Sequence, residues 1–277
     1  MNSWKSKWNY AIEFEGDVDN KTRKLFQTPQ INNIFDVKSL RHNSFEKRAI
    51  QDTIKATNRV LKRLSFPRIY ISSNQFIILD RKEYETRVAD NEFNGGKFSY
   101  GFVYLIRNKN KIKFLHDLTH EISHFVSFYG LSVTEIEDLR KMNLAKSGYS
   151  EKKDEPYLFD GLNEAATELF SLQIKEILGD FYQLPKNITS QYPEQVIIVE
   201  KLISSVKNKD LLMKLLFKSY IDGSEDFLDL MESEIPGSRE HLKMLQADEK
   251  SPYTIARLMG EEYELYLIEE MKKISRG

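Results

Sequence analysis

Apolar residues recur at helical spacing from about residue 43 to 64, where Ile50, Ile54, Val60, Leu61 and Leu64 have charged residues between them. Positions three and four apart share one face of a helix, so the pattern predicts an amphipathic helix ending near Pro67. Three runs of strand character follow at 68–71, 76–79 and 98–106, the last after the turn residues Asn94, Gly95 and Gly96. The helical period returns at about 113–128, with Leu115, Leu118, Ile122, Phe125 and Val126 as its stripe. A polar stretch with Lys146, Ser147, Gly148 and Ser150 predicts a loop. It leads to a further helix at about 162–178 that Gly179 ends. Beyond Tyr192 and Pro193 the chain reads as helix, with Ser224 and Ser251 at N-cap positions and Pro252 in a first turn.

This order predicts an α+β protein, its first half carrying the chemistry and its second half helical. The expected divisions are an extension over 1–44, a central catalytic region over 45–189 and a helical subdomain over 190–277. Trp4, Trp8, Tyr10 and Phe14 are the expected anchors of the extension. No internal repeat or Gly/Ser-rich linker interrupts the chain.

Composition narrows the class. Of 277 residues, 40% are hydrophobic, enough for a core, and 30% are charged. A formal net charge of −1 advertises no nucleic-acid or membrane partner, so neither is expected. Lys109, Lys111 and Lys113 have no interleaved aromatics and read as a solvated loop. The absence of cysteine excludes a disulfide framework, a thiolate metal site and a cysteine nucleophile. The first residues carry no apolar signal-like core, which predicts a cytoplasmic location, and secretion as a signal-less effector fits equally.

The chemistry concentrates in His120-Glu121-Ile122-Ser123-His124. Histidines four apart on a helix project from one face a turn apart, the spacing that two ligands of a tetrahedral zinc ion require. Glu121 lies about 100° around the helix from His120. That places it to act on a water in the open coordination position, as the general base of a metallopeptidase. A third protein ligand is needed. Glu164 and Glu168 share one face of the second helix, so one carboxylate is placed to bind metal and the other to hold a ligand imidazole. Ala165 and Ala166 would allow close helix approach.

The pair of segments, HEISH and then Asn163-Glu164-Ala165-Ala166-Thr167-Glu168, resembles the gluzincin metallopeptidases. The resemblance covers residues 120–168. It implies a zincin-like fold with a small mixed sheet, and one zinc ion held by His120, His124 and Glu164. It also implies Glu121 as base, Glu168 behind the ligands, and a peptide or protein substrate. Forty positions separate His124 from Glu164. That gap is longer than in thermolysin-like members and closer to toxin-type gluzincins such as the anthrax lethal factor catalytic domain, which also carry a Tyr shortly before the ligand Glu.

Tyr157, seven positions before Glu164, is accordingly the first candidate for stabilising the oxyanion, with Tyr149 and His241 as alternatives. The 98–106 strand is expected at the substrate edge. His116, one turn before His120, is expected to be partly exposed, and Asp117 to serve the helix start. Two other functions fit the same residues: a regulatory protease that cleaves one repressor or partner, and a zincin-fold binding module without turnover.

Overall fold

Asn43 opens the first long helix. In the computed structural model its side chain accepts from the Glu46 N–H at 2.9 Å, and the Glu46 carboxylate accepts from the Asn43 N–H at 2.7 Å. This reciprocal box satisfies two backbone donors that a helix start leaves over. The structure describes residues 12–15, 35, 37–88, 95–99, 101–136, 139–151, 157–182, 184 and 192–245, with the backbone alone for 12–15, 131–136, 139–145 and 180. The anchors Trp4, Trp8 and Tyr10, the side chain of Phe14, and the cap at Ser251 and Pro252 lie outside the described residues. The chain forms two compact units, Met1–Val126 with Phe170–Ile188, and Ser127–Leu169 with Thr189–Gly277.

The first unit contains β1 (Ile12–Glu15), α1 (Ser44–Arg63), a short 3-10 turn at Ser73–Gln75, β2 (Phe76–Leu79), α2 (Arg81–Arg87), β3 (Gly96–Ser99), β4 (Phe102–Ile106) and α3 (Lys111–Val126). A three-stranded mixed sheet has the order β2-β4-β3, with β2 parallel and β3 antiparallel to β4. Val37, Ile77, Leu79, Tyr84, Val88, Tyr104 and Ile106 form a buried cluster there, joined by Phe35 and Phe102. Each large side chain so buried contributes about 1.5–3 kcal/mol against its exposed state. The Arg107 guanidinium bonds both oxygens of the buried Glu46 carboxylate, at 2.7 and 2.9 Å, which ties the α1 start to the end of β4.

Two expected strands change form. Residues 68–71 make no strand, because the Asn58 side chain takes both backbone groups of Ile69, at 2.8 and 3.1 Å, in place of a neighbouring strand. The run 98–106 is not one strand but a hairpin, folded at Gly101 with φ 84°.

The second unit begins with a hairpin that the apolar pattern does not predict, and the expected polar loop is reduced to a turn at Gly148 and Tyr149. β5 (Tyr129–Ile136) and β6 (Leu139–Ser147) pair antiparallel, with a register shift between Gly130 and Leu131. β6 also pairs with β7 (Ser150–Glu151), and Lys146 bridges to Glu151 at 3.2 Å. α4 (Asp160–Tyr182) starts in this unit and ends in the first. It runs through Gly179, which therefore ends nothing. α5 (Pro193–Ser204), α6 (Lys209–Asp222), α7 (Asp226–Glu234) and α8 (Ser238–Met244) follow. α6 closes on Gly223, whose φ of 77° suits a left-handed C-cap. Ser224 is not a cap: Glu225 occupies that position, while the Ser224 N–H donates to Asp222.

The units divide after Val126, Leu169 and Ile188. Residues 127–169 join the C-terminal helices through specific bonds. Phe128 N–H donates to Tyr220 O at 2.9 Å, Tyr149 Oη to Leu216 O at 2.8 Å, and Gly161 N–H to Leu245 O at 2.8 Å. The fold class is mixed α+β, with small sheets and eight helices among the described residues. No described helix is long and apolar enough to cross a membrane.

Candidate metal centre

Asn110 caps the start of α3, its side-chain oxygen accepting from the Ile112 and Lys113 N–H groups at 2.9 and 3.2 Å. Phe114, Leu115, Leu118, Ile122, Phe125 and Val126 are buried, so the helix is fixed in rotation by its apolar positions. His120 and Glu121 are buried and His124 is half-buried. The two imidazoles meet edge to face, with ring centroids 4.7 Å apart and their Nε2 atoms 3.0 Å apart.

Glu164, 9% exposed, lies on the second turn of α4. His120, His124 and Glu164 each offer one ligand atom, and these atoms all lie within 4.8 Å of one another. The donor set is two neutral-capable imidazoles and one carboxylate, the chemistry that a catalytic zinc ion takes from protein. Two nitrogens on one tetrahedral zinc stand about 3.3 Å apart, close to the spacing seen here. The residues present fit a metal ion.

The rest of α4 supports that group. Glu164, Glu168, Ser171 and Lys175 recur at intervals of four, three and four, and all four side chains are buried. Ser171 donates to Thr119 Oγ1 at 3.0 Å, and Lys175 Nζ stands 2.6 Å from His116 Nδ1. Thr119 in turn donates to His116 O at 2.9 Å. Ala165 and Ala166 are fully buried, as close packing requires.

Behind Glu164, Thr167 Oγ1 bonds Asn163 O and Tyr220 Oη, each at 2.8 Å. Burial first, then the Glu164 charge, holds the Tyr220 hydroxyl well above its ordinary pKa. It is therefore a neutral partner for Thr167.

His116 is not partly exposed: it is 8% exposed because Lys175 covers and bonds it. Asp117 is likewise buried. Burial raises its pKa, opposed by the Lys113 ammonium 3.1 Å away. Tyr149 is a core residue, since its hydroxyl donates to Leu216 O and burial raises its pKa. His241 lies exposed on α8. Tyr157 is 36% exposed in the segment leading into α4.

Sequence reasoning missed Lys175 and Tyr220. The four-three-four spacing of 164, 168, 171 and 175 was a usable signal for Lys175. Nothing local marked Tyr220. Comparison with protein-family models, with curated proteins and with solved structures finds no match.

Proposed function

We propose that the chain is a zinc-dependent metallopeptidase of zincin type. The observation that carries this reading is the convergence of His120, His124 and Glu164, with Glu121 next in line on the same helix. Zinc, when bound, supplies Lewis-acid polarisation of a water molecule and of the scissile carbonyl. Glu121 takes the proton from the attacking water and passes it to the leaving nitrogen as the peptide bond breaks. Glu168, one turn beyond Glu164, orients a ligand imidazole. Tyr157 donates to the oxygen that gains charge. An extended peptide pairs with the edge strand β3.

The purified chain is expected to hold one zinc ion and to cleave members of a proteome-derived peptide library. Glu121→Gln should retain the zinc and lose about 100- to 10,000-fold in kcat, the usual worth of a general base. A chain that takes up no transition metal on titration, or one that holds zinc stoichiometrically and cleaves nothing, overturns this reading.

A further inference from the structure

Strand β3 lies along one ridge of α3. The rings of Phe98 and Phe125 meet edge to face with centroids 5.4 Å apart, which fixes the strand at that end. One helical turn back from Phe125 is Glu121, and opposite it the strand has Gly96. A Cβ placed on Gly96 would stand 2.6 Å from Glu121 Cγ and 2.9 Å from its Oε1. Real Cβ atoms do not approach carbon that closely, and Glu121 is only 5% exposed, so the side chain has little room to retreat.

Gly96 has a second property. Ile106 N–H donates to Gly95 O at 3.0 Å, and Gly96 stands opposite Leu105 in the ladder. In an antiparallel pair, hydrogen-bonded and non-hydrogen-bonded positions alternate. The Gly96 N–H and C=O therefore point away from β4, along the edge of the three-stranded sheet that no described strand occupies.

We infer that Gly96 is a positioning residue for Glu121: its bare Cα sets where the carboxylate rests. Its outward backbone groups offer an extended substrate a strand partner at the same place. The absence of a side chain thus brings the pairing edge and the proton acceptor together. The role rests on the metallopeptidase reading, but the contact beneath it does not.

The test is a double-mutant cycle on the full chain, combining Gly96→Ala with Glu121→Ala and measuring Tm and zinc affinity. Gly96→Ala should lower Tm in the wild-type background and leave it unchanged beside Glu121→Ala. Gly95→Ala, whose Cβ would overlap the Asp117 carboxylate instead, should lower Tm equally in both backgrounds. In the peptide assay, Gly96→Ala should retain zinc and lose about 100-fold in kcat, the scale of an ångström-sized misplacement. Equal Tm losses with and without Glu121, or a zinc-loaded Gly96→Ala with wild-type kcat, overturn the inference. A wild-type chain that cleaves no peptide overturns the metallopeptidase reading instead, and the Tm cycle then still decides whether Gly96 sets Glu121.

Discussion

A lysine ammonium with 4% exposure has to find its hydrogen-bond partners inside the protein, and Lys175 finds one in the imidazole of His116. The ammonium only donates, so Nδ1 accepts and the ring proton sits on Nε2. Burial holds the Asp117 pKa above its ordinary value, and the Lys113 ammonium, with a smaller share from Lys175, opposes that rise. Removing one member of such a pair leaves the other with an unmet polar group, a loss of about 1–3 kcal/mol. Urea unfolding of Lys175→Met should show that loss, and adding His116→Leu should recover part of it because an apolar pair has nothing left to satisfy. Equal stability of the single and double variants would argue against the pair. This contact also explains why His116 was misread. Its place near a helix start favours exposure, and only a residue 59 positions later covers it. His120, Glu121 and His124, by contrast, were legible because their relation is confined to one helical turn.

At the scale of elements, legibility follows how local the deciding interaction is. The α1 start was readable from Asn43 and Glu46, which cap each other. The strand expected at 68–71 fails because a side chain eleven positions away supplies its partner. The β5–β6 hairpin escaped notice because Ser132, Thr134, Glu135, Arg140, Lys141 and Asn143 dilute its apolar pattern. Gly179 carries a stop signal that distant contacts override. Three residues on, the Tyr182 hydroxyl donates to Asp52 at 3.0 Å, and its ring lies 6.2 Å from that of Phe45, so the last turn of α4 is held from outside. A Cβ on Gly179 would meet nothing within 4 Å. Gly179→Ala should therefore stabilise the chain by about 0.4–1 kcal/mol through helix propensity and a less flexible unfolded state, visible as a higher denaturant midpoint. A lower midpoint would mean that the helix does not continue through this residue.

For the whole molecule, a metal held only by the folded chain adds its binding free energy to folding. At free zinc 100-fold above Kd the gain is about 2.7 kcal/mol. Melting curves should rise with zinc concentration and fall on chelation with EDTA, and His124→Ala should flatten both responses. A melting temperature indifferent to zinc and to EDTA would remove the metal from the fold's energetics. The link between residues 127–169 and the C-terminal helices was the least legible feature, because bonds such as Phe128 to Tyr220 join segments about ninety positions apart.

Helix α4 also sets an angular constraint. At 100° per residue, Glu164, Glu168, Ser171 and Lys175 fall within a sector of roughly 60°. Ser171 and Lys175 lock that sector against Thr119 and His116. An insertion of a single residue between Leu169 and Phe170 would turn both carboxylates by about 100° relative to the lock. Every residue would be kept, and the Glu164 carboxylate would face elsewhere. The helix transmits rotational phase, so the length of chain between Glu164 and Lys175 is as much a part of the candidate centre as the donor atoms.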